Sequence, residues 1–518
     1  MMLGREAAAR RWLRVLWSMV LLLLATRLVT MAWIPLMDTT EGRYGEIGRK
    51  MATLDDWITP WHDHGVPFWG KPPLSFWLTA GSFKLLAFNE FTARLPHFLC
   101  GVLTAMCVWN AARVRASDEG AITVAILAGA LLFHVSTGAV MTDPAMVLGT
   151  TMAQCSVWLA LAGQTAAQRA RHGWLAFIGG AIGVLAKGPL ALILIGAPLF
   201  LWMLWCSRWR TVWQALPWVR GSLLMASLVL PWFVLAELKT PGFINYFIVG
   251  EHFHRFVTPG WGGDLYGNAH ERPKGTIWLY AFGAMLPWTV LLPLLAVRRW
   301  MRKTQADHQS TFQALGPWRI EDRETERLVA LQALAPLLFF TASSNIIWTY
   351  VLPAMPALAW WAARWLGRQS LQGLRWTALG TLATWVALTS GLLVAEKNER
   401  FERGSGRSMV ALCEAERMQR VPQAERRDAD PMLVVVGRRS LSADYYAAGR
   451  SPRVLDLAPM TERWPAAGQC VALFDNDRGK VEEAGLRVAR ELGRTHERRV
   501  LWVVRSHAAG TVPAEPAR

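Results

Sequence analysis

MDTTEGRYGEIGRKMATLDDWITPWHDHGVPFWGKPP, residues Met37 to Pro73, follows a long apolar run and gathers acids, bases, tryptophans and a Lys-Pro-Pro into one stretch. Asp38 and Glu41 stand where the chain leaves the apolar run. Behind them Tyr44, Ile47, Met51 and Leu54 recur at helical spacing, with Arg43, Glu46, Arg49 and Lys50 between. That pattern predicts an amphipathic helix suited to lying on a bilayer surface. Lys71-Pro72-Pro73 closes the stretch with a cation at a rigid turn. The whole reads as an anion-handling loop at a membrane interface.

The surrounding composition agrees. The 518 residues are 53% hydrophobic with 29 tryptophans, and apolar runs of near-bilayer length recur along the chain. A net charge of +17 raises the question of nucleic acid. The arginines punctuate apolar runs, however, which points to topology and anionic headgroups, so membrane lipids are the expected partners and nucleic acid is not. Eleven runs suit spans, near 14–35, 94–114, 121–140, 144–164, 174–187, 188–206, 217–238, 276–297, 328–343, 346–364 and 374–395. Residues 73–88 are apolar but short and are taken as interfacial. With that segment flat, Arg10, Arg11 and Arg14 and the later arginine turns fall on the cytoplasmic side. Asp38, Glu41, Lys71, Asp143, Lys187 and the loops 37–93 and 239–275 then share the opposite face.

The expected fold is an all-α polytopic membrane domain of about 11–13 transmembrane helices over 1–396. A small periplasmic α/β domain follows over 397–518, where the composition becomes arginine-rich and soluble. Short strands are predicted at Met432–Val436, Val454–Leu457, Cys470–Phe474 and Val500–Val504, with helices near 408–419 and 480–491. The tail from His507 reads as disordered. Cys413 and Cys470 lie in this domain, and the sequence leaves open whether they are bonded.

Several polar residues invite two readings. Asp38 and Glu41 suit paired acid–base chemistry, but Asp at N-cap with Glu at N3 is also a capping box. Lys187, in Leu185-Ala186-Lys187-Gly188-Pro189, interrupts a nearly continuous apolar run. Held near the bilayer centre, a charge there costs about 2.5–3.5 kcal/mol, so the Gly-Pro turn signal places it at an outer connection. Thr142-Asp143-Pro144 reads as a helix start that also carries a carboxylate. In Glu251-His252-Phe253-His254-Arg255-Phe256, the histidines with His62 and His64 suggest zinc. Two His-x-His pairs on loops are a weak donor set, so neither a metal nor another cofactor is expected. Arg255 as a phosphate ligand is the stronger reading.

The segments DTTEGRYGEIGRKM, WGKPPLSFWLTAGSFKLLAFNEFTARLP, LAKGP, EHFHRF and TYVLPAMPALA resemble, in order and spacing, the aminoarabinose lipid A transferase (ArnT-like) family. That family is related to the protein O-mannosyltransferases and has the GT-C membrane glycosyltransferase fold. The resemblance covers roughly 35–360 and implies transfer of a sugar from a polyprenyl-phosphate carrier to a periplasmic acceptor such as lipid A. It implies a multi-pass protein of the bacterial inner membrane. By the same resemblance Lys71 and Arg255 bind the carrier phosphate, Arg43 and Tyr44 line the cavity, and Asp38 and Glu41 supply the catalytic acids. Asp143, Lys187, His252 and Tyr350 complete the expected substrate-binding set. Three departures alter these contacts. Thr40, not aspartate, precedes Glu41; Gly70, not glutamate, precedes Lys71; and Ser344-Asn345-Ile346-Ile347 stands where relatives carry lysine. A protein O-glycosyltransferase and a lipid-linked sugar flippase are the rival readings, although a flippase should show a repeated half, which the sequence lacks.

Overall fold

The computed structural model describes residues 2–114, 117–301, 322–368, 371–427, 430–465, 467–495 and 498–506. The tail expected to be disordered and the arginine-bearing turn at 302–321 lie outside the described residues. The chain divides into two compact units, Met1–Met31 with Leu54–Ser390, and Ala32–Thr53 with Gly391–Arg518. This differs from a single cut after 396, because residues 32–53, read as part of the membrane domain, group with the C-terminal residues.

The first unit is helical. Among the described residues five helices are long and apolar enough to cross a membrane, or six if the bent pair Thr276–Ala284 and Trp288–Arg298 is one span. The eleven apolar runs are therefore not eleven uninterrupted spanning helices. The run at 121–140 breaks between Ser117–Ala128 and Leu131–Ser136. That at 276–297 bends by 82°. Leu190–Cys206 has only 17 residues, and the run at 346–364 begins as a 3-10 helix, Trp348–Ala354. Asp322–Thr341 opens with charges that periodicity alone does not register. Residues 73–88 form the short helix Leu74–Leu85, whose 12 residues fall well short of a span.

Glycines bring the central helices together. The helices Asp143–Ala162 and Ala166–Lys187 form a hairpin, the second opened by the Thr165–Gln168 capping box. A Cβ on Gly149 would sit 2.4 Å from the Gly183 nitrogen, and one on Gly179 would sit 2.6 Å from the Ala153 nitrogen. Small residues at this seam let the two backbones touch. The hairpin thus sets the first residue of one helix, Asp143, beside the last residue of the other, Lys187. Gly188 then ends the helix with φ +82, a conformation that costs a glycine little.

The second unit contains a five-stranded sheet in the order Arg453–Val454, Val434–Val436, Gln469–Phe474, Arg498–Arg505, Leu486–Arg494. The first three strands are parallel, and the last two pairings are antiparallel. Three of the four predicted strands fall close to their expected positions, and the fourth, at 454–457, shrinks to Arg453–Val454. The helix predicted at 480–491 is a correction. Helix Gly479–Glu483 is brief, and Leu486–Arg494 is an edge strand. Arg487, Arg490, Glu491 and Arg494 gave it the look of a solvated helix, but charges also protect a sheet edge from pairing further. Cys413 and Cys470 are bonded, with Cα atoms 5.6 Å apart, which closes the question left open by the sequence.

The helix Thr40–Leu54 belongs to this unit, and the bilayer-surface expectation for it is a second correction. Its buried face is made of Gly42, Gly45, Glu46, Ile47, Gly48, Met51 and Ala52, whereas Leu54 is exposed. The glycines leave that face flat. A Cβ on Gly42 would sit 2.5 Å from the Ser442 nitrogen, so the helix lies directly against the start of helix Leu441–Tyr446. Buried Glu46 is held by Arg49 at 2.6 Å and by Lys50 at 3.7 Å.

Candidate functional site

In the first unit the two cations expected to bind phosphate meet on one carboxylate. Lys71 Nζ donates to Glu251 Oε2 at 2.9 Å. Arg255 Nη1 donates to Glu251 Oε1 at 2.9 Å and Oε2 at 3.2 Å. Asp264 Oδ2 lies 3.2 Å from the same Arg255 nitrogen. Glu251 is on the π-helix Asn245–His254, and Arg255 is one turn on. Such widened turns are frequent at functional sites. Asn345 Nδ2 donates to the carbonyls of Arg255 and Thr258, both at 2.7 Å, and so fixes the turn that presents the guanidinium.

The electrostatics are strongly coupled. Burial works against the ionised form of Glu251, but the charges and hydrogen bonds of Lys71 and Arg255 more than offset it and hold its pKa below the usual value. Burial also works against the Arg255 charge, and Glu251 outweighs that, so its pKa is raised. For Tyr246, burial and then the Glu251 charge push the phenol up; its hydroxyl lies 3.4 Å from Glu251 Oε1.

A second pair adjoins the first. Lys187 Nζ donates to Asp143 Oδ1 at 2.6 Å and lies 5.3 Å from the centre of the Tyr350 ring. His252, next to Glu251 in sequence, places Nδ1 2.8 Å from the Phe247 carbonyl and Nε2 3.2 Å from the Lys187 carbonyl. Burial, partly opposed by the Phe247 contact, keeps this imidazole's pKa low. Lys71, Asp143, Lys187, His252, Arg255 and Tyr350 therefore gather in one region of the first unit. Glu251, Asp264, Tyr246 and Asn345 were not among the expected site residues. Glu251 carried a readable signal, its i,i+4 spacing to Arg255.

The remaining four candidates, Asp38, Glu41, Arg43 and Tyr44, lie in the second unit. Arg43 and Tyr44 are half-buried on the Thr40–Leu54 helix. Asp38 does cap a helix, but a distant one. Its Oδ2 accepts from the Ser440 hydroxyl at 2.9 Å and its Oδ1 from the Ser442 N–H at 2.6 Å, at the start of Leu441–Tyr446. Glu41 Oε2 accepts from the Met37 N–H at 3.3 Å, much as the second half of a capping box would. Among the described residues no group of three or more His, Cys, Asp or Glu side chains is placed to hold a metal ion.

Capping and chemistry separate by isosteric substitution. Asp38→Asn retains an oxygen for the Ser442 N–H, and asparagine caps as well as aspartate. Its unfolding midpoint should therefore stay near wild type, whereas Asp38→Ala should lose about 0.5–2 kcal/mol. If the Asp38 or Glu41 carboxylate takes part in transfer, Asp38→Asn or Glu41→Gln will cut turnover while leaving thermal stability unchanged. Full turnover in both would make the pair structural.

The family model for dolichyl-phosphate-mannose-protein mannosyltransferases matches residues 17–247. The chain is 29% identical over 389 residues to undecaprenyl phosphate-alpha-4-amino-4-deoxy-L-arabinose arabinosyl transferase 1 of Pseudomonas fluorescens (strain Pf0-1), covering 71% of this chain and 61% of that protein. It is 30% identical over 361 residues to the corresponding transferase of Enterobacter sp. (strain 638), covering 67% of this chain and 59% of that protein. The crystal structure of ArnT from Cupriavidus metallidurans bound to undecaprenyl phosphate superposes with a TM-score of 0.76, over 97% of this chain and 100% of that one, at 18% identity. In sequence this chain resembles these arabinosyl transferases, and in fold it resembles ArnT. The matched region spans about three fifths of the length of these two curated relatives.

Proposed function

We propose that this chain is a membrane glycosyltransferase that moves a sugar, aminoarabinose or a related one, from undecaprenyl phosphate to a periplasmic acceptor, with lipid A phosphate as that acceptor. One observation carries the reading: Lys71 and Arg255, 184 residues apart by number, converge on a single carboxylate and so stand at the spacing an anionic phosphate bridges. The names of the arabinosyl transferase relatives and the ArnT-like fold support it.

In the proposed reaction an acceptor oxygen attacks the sugar C1 through an oxocarbenium-like state. The bond from C1 to the phosphate oxygen breaks, and its electron pair stays on the carrier. A phosphodiester with one negative charge thereby becomes a monoester with a second. Lys71 and Arg255 are fixed where that charge grows, which is where preorganised cations stabilise most. An ionised lipid A phosphate attacks without a base. A hydroxyl acceptor would need a carboxylate to take its proton. The mannosyltransferase family match over 17–247 favours one second reading, a protein hydroxyl as acceptor.

The active face is assigned to the periplasm and the chain to the bacterial inner membrane. Support comes from the arginine distribution and from the Cys413–Cys470 disulfide, since such bonds persist on the oxidising side. Cysteine placed at Asn268 should label with an impermeant maleimide in intact spheroplasts, whereas cysteine at Gln164 should label only after permeabilisation. The reverse pattern would invert the topology. For the function, mass spectrometry of lipid A from cells with and without the chain should show a phosphate-linked sugar that depends on it. Unchanged lipid A, with a new glycan on periplasmic protein, would transfer the reading to the second acceptor.

A further inference from the structure

Each cation expected at the phosphate site already has a carboxylate partner: Lys71 and Arg255 share Glu251, Arg255 also meets Asp264, and Lys187 holds Asp143. Glu251 has little freedom to leave. Its side chain is 5% exposed, it receives bonds from two cations, and the Tyr246 hydroxyl lies beside it. That hydroxyl is itself held by the Leu265 N–H at 3.2 Å. An anion that reaches both Lys71 and Arg255 must therefore join Glu251 and not replace it. The two cations are only partly available to it, and a negative charge sits within ionic range of any oxygen bound there.

Resting on the transferase reading above, we infer that Glu251, assisted by Asp264, sets this site to hold a phosphate of single charge and to release one of double charge. The donor is a phosphodiester with one negative charge, and the spent carrier is a monoester carrying about −1.5 to −2 near neutral pH. Two unopposed cations would bind the spent carrier most tightly, and turnover would stall on product. The carboxylate tempers that preference. It also keeps Lys71 and Arg255 together before the donor arrives, which avoids the cost of gathering two like charges at each cycle. Glu251 is on this account a positioning and specificity-determining residue, and the transferred atoms do not pass through it.

The test compares undecaprenyl phosphate with its monomethyl ester, two probes with the same lipid chain and different charge. Both are titrated onto the full chain in detergent for wild type, Glu251→Gln and Asp264→Asn. In Glu251→Gln the monoester should bind about tenfold more tightly relative to the methyl ester than in wild type, because one opposing charge has gone. Asp264→Asn should shift the same ratio in the same direction by less, and it serves as the reading if Glu251→Gln fails to fold. Product inhibition by undecaprenyl phosphate should deepen in parallel. An unchanged ratio, or equal weakening of both probes, would overturn the inference and leave Glu251 as a scaffold for the cations. Wild-type protein that binds neither probe would instead overturn the carrier-phosphate reading on which the inference rests.

Discussion

Lys71→Ala and Arg255→Ala should each lower kcat/KM for sugar transfer by about a hundredfold or more, with the fold retained. The loss of one charge-assisted contact to charge that develops in the transition state is worth roughly 2.7–4 kcal/mol. Both cations are part-buried and lie within hydrogen-bond reach of one carboxylate, so each is held in place for such a contact in the proposed reaction. Lys71→Arg should not rescue. The prolines at 72 and 73 fix a compact ammonium, and a planar guanidinium presents its donors elsewhere. Rates measured with a purified donor, alongside thermal unfolding in detergent, separate lost chemistry from lost structure. Near-normal turnover in both alanine variants would remove the phosphate clamp from the account.

Lys187→Met should be the most destabilising of the single substitutions considered. Lys187 and Asp143 are both buried and lie 2.6 Å apart. Removal of one member leaves the other as an uncompensated charge, which typically costs about 3–5 kcal/mol. Replacing both, as in Asp143→Asn with Lys187→Met, should recover most of that stability, because a buried ion pair contributes little net energy over neutral groups of similar volume. Unfolding midpoints of the two single variants and the double variant form a cycle that reads the coupling directly. A single Lys187→Met variant as stable as the double would show that Asp143 finds another partner. A double variant that regains stability without turnover would assign the pair to the chemistry as well as to the fold.

The residues that signal locally were legible in the sequence. Lys71 stood out because two prolines follow it, Asp143 because a proline makes it a helix start, and Lys187 because it interrupts apolar residues. Their meeting was not legible, because the close approach at Gly149, Gly179 and Gly183 is a property of two packed helices and not of either alone. Glu251 was passed over for a related reason. Just ahead of two histidines and an arginine it looks like one more solvated charge, and only the fold brings Lys71, 180 residues away, onto its carboxylate. The capping reading put Asp38 on the helix that follows it, whereas its carboxylate caps one that begins about 400 residues further on, where periodicity gives no hint. The Thr40–Leu54 helix misled because an amphipathic pattern marks an apolar stripe without saying what covers it. Its glycines, which carry almost no hydrophobic signal, form much of the buried face. Leu486–Arg494 was taken for a helix because charges on an edge strand mimic those on an exposed helix face.

The central claim is that Lys71 and Arg255 together hold the phosphate of a lipid-linked sugar while the sugar departs. Its most direct test is single-turnover transfer with the purified chain in detergent, an undecaprenyl phosphate-linked aminopentose and lipid A. Free undecaprenyl phosphate and glycosylated acceptor are both followed by mass spectrometry. The account predicts that wild-type protein releases undecaprenyl phosphate in step with acceptor modification, and that the Lys71→Ala, Arg255→Ala double variant, assayed well below its own unfolding midpoint because Glu251 loses both cations, releases neither product. An intact donor in the presence of wild-type protein, or a double variant that turns over at the wild-type rate, would contradict it.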